Sequence, residues 1–336
     1  MQLRGGIDLG GTKIQAIVMD GTHSVVGSAR EATPTRGGPK DVADTMAAVL
    51  RAAGAAAGIE VAHLAGVGVG SPGAIDAATG TVTSAGNLPG WSGSYPLASA
   101  LADILGIEVA LGNDVTVATE AEFRLGAGRP YRSMLGVFCG TGVGGGLILD
   151  GKPWVGRGAA GEFGHMVIRR GGARCPCGRR GCVEAYAGRG PMESSARRMV
   201  GHGRKTSLFT IMESRGRTRL ASGVFARALA GRDPLATLLL HRAIRALGAG
   251  IGSAVNLLDL EAVIIGGGLG TRLGQPFVES VRAATVPHLF VSDRPPDMLL
   301  AELGDLGGAI GAALLVNAGA AEAAGESLTP QDREFS

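Results

Sequence analysis

The sequence predicts an α/β protein that is built from two similar halves with a cleft between them. Strand-like and helix-like segments alternate along the chain, which is typical of layered α/β folds. A strand, a glycine turn and a second strand occur twice, in residues 4–20 and again in residues 133–151. This repeat indicates a duplicated fold, and ligands are expected in the cleft between its halves.

The first half continues in a regular order after its opening strands. Residues 64–76 form an apolar run that ends in Ser-Pro-Gly, which predicts a buried strand and its end. Residues 115–128 have helical periodicity and a closing glycine, which predicts a helix. The other predicted elements of this half are helices at 41–58 and 95–106 and a strand at 107–114.

The second half follows the same order with a long insertion. A loop-like stretch at 164–186 follows its opening strands. Residues 190–250 are mostly helical, with an arginine-rich middle at 197–219 and no motif that indicates chemistry. We expect structural or oligomer contacts there. Residues 260–270 predict a buried strand, a glycine turn and the start of a helix, and residues 305–321 predict a final helix.

Length and composition set limits on the class of protein. The chain has 336 residues, enough for two domains with sizeable cores. Its net charge of +3 is too small to indicate any partner on its own. The start has no apolar stretch of signal-peptide length, and the apolar runs at 247–268 and 307–321 are rich in Gly and Ala. We interpret these runs as buried elements rather than membrane spans, and we expect a soluble cytoplasmic protein.

Three glycine-rich loops at strand ends predict an anion-binding site. Glycine lets the backbone approach an anion closely, and successive backbone N–H groups can bind phosphate. Thr12 and Thr141 add hydroxyl donors, and Lys13 adds positive charge. None of the loops is a Walker loop or a convincing dinucleotide fingerprint, and each alone also fits an ordinary turn. The loops read DLGGTK (8–13), CGTGVGGG (139–146) and GGGLG (266–270).

Two aspartates follow predicted strands and are candidates for chemistry. Asp8 adjoins the first loop, where a carboxylate suits an outer ligand of Mg²⁺; the alternative is an aspartate that hydrogen-bonds its own turn. Asp114 lies between a strand and a helix. It is either the N-cap of that helix, which the spacing alone favours, or a general base that accepts a proton from a substrate hydroxyl in phosphoryl transfer.

Four candidate metal ligands lie in the loop-like stretch of the second half: His165, Cys175, Cys177 and Cys182. Three cysteines so close together do not look like a secreted disulfide framework. A nucleic-acid zinc finger, a redox pair and a metal clip inside an enzyme all remain open on this pattern. Cys139 lies in an apolar strand-like run, so we expect a buried free thiol there.

The motifs taken together resemble those of the ROK family of repressors, open reading frames and sugar kinases, from Ile7 to about Ala321. In chain order they read DLGGTK, GVGSPGAID, NLPGW, GND, CGTGVGGG, AGEFGH, CPCGRRGCVEAY and IIGGGLG. The resemblance implies a two-domain actin-like (ribonuclease H-like) sugar-kinase fold, with duplicated mixed sheets flanked by helices and an interdomain cleft. The implied domains are a small one of residues 1–118 plus a C-terminal helix at 306–322, a large one of residues 119–305, and a flexible tail at 323–336.

The resemblance also implies a role for each motif. Asp114 would be the catalytic base that acts on the 6-hydroxyl of a sugar. The sugar itself would be held by Asn87, Asn113, Asp114, Glu162, His165 and Glu184. The nucleotide and its Mg²⁺ would be held by Asp8, Gly10, Gly11, Thr12, Lys13, Thr141, Gly142, Gly266, Gly267 and Gly268.

The cysteine-rich stretch is then interpreted as a structural zinc site. Its imidazole and three thiolates make a complete tetrahedral zinc set with no open position, so the metal would not activate water. Zinc there would stiffen the loop that aims Glu162, His165 and Glu184 at the sugar. The rival interpretations are weaker, because the stretch is short and turn-rich for a base-reading helix. A redox pair of Cys175 and Cys177 would leave the other two ligands unexplained.

The family contains both kinases and repressors, and the sequence favours a kinase. Repressors of this type carry a helix-turn-helix domain before the first glycine loop. Here seven residues precede Asp8, which are too few for a DNA-binding domain. A sugar-sensing regulator without catalysis is the minor alternative, and no nucleic-acid or membrane partner is expected.

The order of the motifs is most similar to that of bacterial glucokinases. The expected reaction is ATP-dependent phosphorylation of glucose at its 6-hydroxyl, with Mg²⁺ and a structural Zn²⁺ as cofactors. Kinases for N-acetylglucosamine, N-acetylmannosamine and fructose share much of the motif set and are the alternatives. ATP is expected rather than polyphosphate as the donor, because polyphosphate-using relatives generally lack the zinc cysteines. The resemblance also implies a homo-oligomer, either a dimer or a tetramer.

Overall fold

The computed structural model describes residues 2–83, 85–86 and 88–317. Its strands are β1 (Arg4–Leu9), β2 (Lys13–Met19), β3 (Val25–Ala32), β4 (Val67–Ser71), β5 (Ala74–Asp76), β6 (Thr81–Thr83), β7 (Ser94–Tyr95), β8 (Val109–Asn113), β9 (Met134–Cys139), β10 (Val143–Leu149), β11 (Lys152–Pro153), β12 (Ala262–Gly266) and β13 (Asp297–Leu300). Its helices are α1 (Pro39–Ala56), α2 (Leu97–Leu105), α3 (Asp114–Leu125), α4 (Glu184–Ala187), α5 (Arg189–Gly201), α6 (Leu208–Glu213), α7 (Ser222–Ala230), α8 (Pro234–Leu258), α9 (Gly267–Leu273), α10 (Gln275–Thr285) and α11 (Gly307–Leu314).

Two five-stranded sheets repeat one topology. The first has the strand order β3-β2-β1-β4-β8, and the second has the order β11-β10-β9-β12-β13. In each sheet three antiparallel strands are followed by two parallel ones. The central strands β4 and β12 are buried along their whole length, as expected of parallel strands covered by helices on both faces. The predicted duplicated mixed sheets are therefore confirmed.

The predicted segments of the first half are found with small shifts at their ends. The apolar run at 64–76 is the exception, because it divides into β4 and β5 at the Pro72–Gly73 turn. Strand β5 belongs to a separate three-stranded sheet, β5-β6-β7, which the sequence did not predict. Trp91 anchors this small sheet: its indole N–H donates to the carbonyl of Val82 at 3.4 Å, and its ring meets Tyr95 edge-on at 5.5 Å.

Helix α11 packs backbone-to-backbone on the first sheet. A Cβ at Gly68 would lie 1.7 Å from the carbonyl oxygen of Ala312, and a Cβ at Gly6 would lie 2.0 Å from that of Ala309. On its other side α11 meets α3, where a Cβ at Gly311 would lie 1.9 Å from the carbonyl oxygen of Val117. The Gly- and Ala-rich composition of this run therefore reflects close burial between a sheet and a helix.

The final helix is shorter than the sequence predicts. Its α-helical part is α11, and it is flanked by 3-10 turns at Gly304–Leu306 and Leu315–Asn317. The rest of the predicted helix and the predicted tail at 323–336 lie outside the described residues. Within the described residues, no helix has the length and apolar character that a membrane span requires.

Helix α3 lies between the two halves. It packs against α11 and the first sheet on one side and against β9 and β10 on the other. The two largest hydrophobic cores are separate: one lies around β1, β4, α1 and α2, and the other around β9, β12, α8 and α10. The predicted domain boundary at 118/119 falls inside α3 and stays a prediction.

Candidate active site

The first glycine loop is a tight connection between β1 and β2. The amide of Gly10 donates to the carbonyl of Lys13 at 2.9 Å, which closes the turn. Thr33, at the end of β3, braces it from one side: its hydroxyl donates to the carbonyl of Gly10 at 2.6 Å. The ammonium of Lys13 lies 3.8 Å from a carboxylate oxygen of Asp305, just before α11. The loop is thus fastened to two other elements of the same half.

The second glycine loop joins β9 to β10 and is held by residues that follow the cysteine-rich stretch. The guanidinium of Arg189 donates to the carbonyl of Gly140 at 3.0 Å. The carboxylate of Glu184 accepts from the amide of Val143 at 2.9 Å. A Cβ on Gly142 would lie 2.2 Å from that carboxylate, so any larger residue would displace Glu184 from its hydrogen bond to Val143. The loop and the stretch after it form one packed unit.

The third glycine loop lies against the second. Gly267 has a left-handed φ of 74°, and a Cβ there would lie 2.6 Å from the amide nitrogen of Cys139. Cys139 is fully buried, and burial raises the pKa of its thiol to about 12. It is therefore an un-ionised free thiol in the core, as predicted. Gly268 faces Ser222 at the start of α7: a Cβ on that glycine would lie 3.2 Å from the serine hydroxyl.

Asn113, rather than Asp114, caps helix α3. Its side-chain oxygen accepts from the amides of Val115 at 3.0 Å and Thr116 at 3.1 Å. The prediction that spacing alone favoured for Asp114, an ordinary N-cap, is therefore wrong. Asp114 occupies the first turn of the helix, where its carboxylate also accepts from the amide of Val115 at 3.0 Å. A negative charge there is stabilised by the helix dipole, and one carboxylate oxygen has no partner among the described residues.

Asp8 and Asp114 lie at the same edge of the first sheet. Strand β4 runs between their strands, with Asp8 paired to Gly70 and Gly70 paired to Gly112. Because all three strands are parallel, their carboxyl ends bring the two aspartates together. A Cβ on Gly308 of α11 would lie 2.8 Å from the carboxylate carbon of Asp8, so the start of this helix packs directly against the carboxylate.

The two aspartates titrate well above the ordinary range of a carboxylic acid. Burial raises the pKa of Asp114 to about 7, and the charges of Asp8 and Glu162 add to the effect. Burial raises the pKa of Asp8 to about 6, although the positive charge of Lys13 opposes the rise. Carboxylates concentrated in this way attract a divalent cation, and an acid with a pKa near 7 is suited to exchange protons at neutral pH.

The cysteine-rich stretch brings its four predicted ligands together. Their ligand atoms all lie within 4.8 Å of one another. The sulfurs of Cys177 and Cys182 are 3.8 Å apart, and the sulfur of Cys175 is 3.8 Å from Nδ1 of His165. Two thiolates on one tetrahedral zinc at about 2.3 Å each are separated by about 3.8 Å. The donor set and its spacing fit a closed zinc site.

His165 has one ring nitrogen for the cluster and one for the cleft. Nδ1 faces Cys175, whereas Nε2 lies 3.9 Å from a carboxylate oxygen of Glu162. The two roles predicted for this residue, metal ligand and sugar contact, would therefore use different atoms. Glu184 also borders the cluster, because its second carboxylate oxygen lies 3.8 Å from the sulfur of Cys175. His165 therefore connects the cluster to Glu162, whose charge acts on Asp114. Glu184 connects the cluster to the second glycine loop.

Several residues of the site escaped prediction from the sequence. Thr33, Arg189 and Asp305 bear on the glycine loops from distant parts of the chain, and none lies in a motif. The one available signal was Asp305, a carboxylate directly before the glycine-rich final helix. Asn87, a predicted sugar contact, lies outside the described residues.

Comparison with known proteins gives the family. The sequence profile of the ROK family matches residues 4–318. The chain is 31% identical to the glucokinase of Streptomyces coelicolor over 93% of its own length and 97% of that protein. It is 32% identical to the N-acetyl-D-glucosamine kinase of Erwinia tasmaniensis, over 92% and 98% of the two chains.

A solved structure agrees in both sequence and fold. The crystal structure of a ROK family glucokinase from Streptomyces griseus, in complex with glucose and AMPPNP, superposes with a TM-score of 0.80. It shares 30% identity and covers 93% of this chain and 98% of that one. The predicted actin-like fold is confirmed. With its motifs, its duplicated sheets and these relatives, the chain belongs to the ROK family, and it is a sugar kinase of the hexokinase type.

Proposed function

We propose that this kinase transfers the terminal phosphoryl group of ATP to the 6-hydroxyl of glucose, with Asp114 as the general base. The observation that carries the proposal is the position of Asp114 beside Asp8, at one sheet edge, with a pKa near neutrality. The similarity to glucokinases supports glucose as the acceptor.

The step is a single in-line displacement. Asp114 accepts the proton of the 6-hydroxyl as the sugar oxygen bonds to the γ-phosphorus, and the bond from that phosphorus to the bridging oxygen of ADP breaks. The products are glucose 6-phosphate, ADP and a proton that Asp114 returns to solvent. The carboxylate oxygen without a partner is available for this hydrogen bond, and such base assistance is typically worth about 10²- to 10⁴-fold in rate. Positioning and charge stabilisation supply the rest.

The nucleotide is assigned to the three glycine loops, with its phosphates at the first and second loops and its adenosine at the third. Thr12, Lys13 and Thr141 are the side-chain donors, and backbone amides supply the others. The glycines at the same positions are Gly10, Gly11, Gly142, Gly266, Gly267 and Gly268. Asp8 is assigned as an outer ligand of Mg²⁺, which would supply positive charge beside the transferred group. A cation bound there would oppose the rise that burial causes in the pKa of Asp8 and would keep its carboxylate ionised.

The sugar is assigned to polar groups on the second half and on the start of α3. The cap of α3 uses the oxygen of the Asn113 amide, so its NH₂ group is available to a sugar hydroxyl. Glu162, whose charge acts on Asp114, is assigned to the remaining hydroxyls together with Nε2 of His165 and Glu184, and Asn87 completes the proposed set.

A structural zinc on His165 and the three cysteines would orient these sugar contacts. A metal on Nδ1 would need the lone pair of that nitrogen, so the ring proton would be held on Nε2, which faces Glu162. With four protein ligands, the zinc would have no position left for a reacting water. The metal therefore has no step of its own in phosphoryl transfer.

The principal alternative keeps the mechanism and changes the sugar. The N-acetylglucosamine kinase of Erwinia tasmaniensis and an N-acetylgalactosamine kinase of Shewanella are as similar to this chain as the glucokinases are. A coupled ADP-release assay with Mg²⁺ and ATP tests the choice, with glucose, mannose, fructose, N-acetylglucosamine, N-acetylgalactosamine and N-acetylmannosamine as acceptors. We expect the highest kcat/KM with glucose. A higher value with an N-acetyl sugar would replace glucose, and no turnover with any sugar would leave a sugar-sensing regulator.

A further inference from the structure

Arg189 lies beside the second glycine loop and forms no ion pair with a carboxylate among the described residues. Arg189, the first residue of α5, holds Gly140 through its Nε, and its Nη2 lies 3.4 Å from the hydroxyl of Thr141. Among the described residues, no carboxylate oxygen lies within 4.0 Å of this guanidinium. A half-buried cation at a glycine loop, without an acidic partner, is suited to a bound anion.

A second arginine from the helical insertion lies next to it. A Cβ placed on Gly190 would lie 3.5 Å from Nη2 of Arg219 and 3.5 Å from the carbonyl oxygen of Thr141. Arg219 and the second glycine loop therefore both lie next to Gly190. Burial and the positive charge of Arg219 both lower the pKa of Arg189, which reflects how close the two cations are. Two like charges held together are unfavourable unless an anion binds between them.

One carboxylate serves this region and is shared among several donors. Glu193 of α5 lies 3.7 Å from Nε of Arg219, but it also accepts two hydrogen bonds from Arg197 and one from the amide of Leu220. Its charge is therefore divided, and the closest approach of Arg219 to it, 3.7 Å, is longer than a hydrogen bond. The side chain of Arg219 is 61% exposed, so an incoming ligand can reach it.

The chain after Arg219 leads to the third glycine loop. Three residues on, Ser222 begins α7 with its hydroxyl against Gly268. The segment from Arg219 to Ser222 therefore borders both the loop assigned to phosphates and the loop assigned to adenosine. A ligand that reaches both loops needs a phosphate part and an adenosine part. The anion is therefore a nucleotide rather than an isolated phosphate ion.

We infer that Arg189 and Arg219 bind the phosphates of the nucleotide, and that the helical insertion supplies one wall of the nucleotide site. The inference rests on the proposed use of ATP as donor. It assigns a function to a segment that carries no recognisable motif. Arg219 contacts the phosphates from the exposed side of the site. Arg189 is half-buried, orients the second loop through Gly140 and adds positive charge next to the phosphates.

The experiment compares Arg219→Ala with Arg217→Ala, an exposed arginine of the same insertion that has no contact with the glycine loops. Isothermal titration gives the Kd of each full-length variant for adenosine, ADP and ATP, and for glucose separately. For Arg219→Ala we expect the Kd for ATP to rise about tenfold, which is the size of one charge-assisted hydrogen bond at a half-exposed site. The Kd values for adenosine and glucose should stay within about twofold, and Arg217→Ala should match the wild type.

Loss of loop structure and loss of a phosphate contact give different results. A disturbance that spreads through Ser222 to the third loop weakens adenosine and ATP equally, whereas a lost phosphate contact weakens binding more as phosphates are added. Equal weakening, or an unchanged Kd for ATP in Arg219→Ala, would overturn the inference, as would a wild type that binds no ATP. A wild type that binds ATP but phosphorylates no sugar contradicts the proposed function alone. Arg189→Lys keeps the positive charge and loses the planar guanidinium with its paired N–H donors. If Arg189 acts mainly through charge, this variant should weaken ATP binding less than Arg219→Ala does.

Discussion

Asp114 combines a position and a protonation state that a helix cap does not need. Its neighbour Asn113 caps α3, and one carboxylate oxygen of the aspartate accepts no hydrogen bond from the part of the chain that the structure describes. Its pKa is raised to about 7 by burial and by the nearby charges of Asp8 and Glu162. Such a group is costly for stability, because the folded state must bury a negative charge near others, and it is typical of a site kept for function.

The pH dependence of turnover follows from this pKa. A general base must be unprotonated, so kcat/KM for the sugar at saturating Mg²⁺ and ATP should rise about tenfold per pH unit below about pH 7 and level off above it. The measurement is a profile from pH 5.5 to 9, with ATP binding measured at each pH as the control. A rate that is constant across this range while ATP stays bound would contradict the assignment.

At the residue scale, the sequence predicted acids and glycines but not the groups that hold them. Asp8 lies near the end of β1 and Asp114 directly follows β8, and a residue at a strand end is visible in the sequence pattern. Thr33, Arg189 and Asp305 reach the loops only because β3, α5 and the turn before α11 fold next to them. Their contacts join residues far apart in the chain, and no local pattern carries that information.

At the element scale, α11 is defined by how closely it approaches its neighbours. Gly68→Ala would place a methyl group where the carbonyl of Ala312 lies, and backbone cannot yield as a side-chain end can. We expect the free energy of unfolding to fall by about 2–4 kcal/mol, the upper range for overpacking, in a urea titration. Gly223→Ala, on α7 with open space around it, is the matched control and should be neutral or slightly stabilising. Equal effects of the two variants would show that α11 does not pack as described.

The cysteine-rich stretch is the second element whose role can be measured. Wild-type protein should contain about one zinc per chain by elemental analysis, and Cys177→Ser should lose it. The variant should unfold at a lower temperature, because a structural zinc contributes on the order of 10 kcal/mol to its own folding unit. Cys139→Ala removes a cysteine outside the cluster and should retain the metal. Wild-type protein without zinc would remove the metal from the account.

The linkage of the stretch to both ligand sites was only partly predictable. The sequence indicated a closed metal set, and the structure adds that Glu184 joins it to the second glycine loop through Val143. A hydrogen bond from a side chain to a distant backbone amide has no sequence signature. The position of Arg219 beside the second glycine loop has no sequence signature either, because tertiary packing of the helical insertion places it there.

At the scale of the whole molecule, the duplicated architecture was predictable and its additions were not. The two strand–turn–strand segments repeat in the sequence, and the two sheets follow from them in the same order. The small sheet β5-β6-β7 escaped prediction because its strands have only two or three residues, too few to show alternation. The homo-oligomer that the resemblance implies stays a prediction, because the structure contains a single chain.

Both halves contribute to the proposed reaction, and α3 connects them. The first half supplies Asp8, Lys13 and Asp114, and the second supplies the other two loops and the sugar contacts. Because α3 begins at the proposed base and packs on the second sheet from its first turn, where Val115 meets Gly144, the relative position of the halves sets the distance from Asp114 to the proposed phosphate site. Catalysis by positioning requires this arrangement, in which neither half is complete alone.

The most direct test of the account is the turnover of Asp114→Asn. The substitution keeps the size of the side chain and the Asn113 cap, so the fold and the sugar contacts should persist. We expect kcat to fall by about 10²- to 10⁴-fold while the Kd for the sugar, measured by titration, changes by less than about threefold. Asp44→Asn, an exposed aspartate that pairs with Lys40 on α1, is the control and should retain full activity. An Asp114→Asn enzyme that works at a near-normal rate would show that Asp114 is not the base.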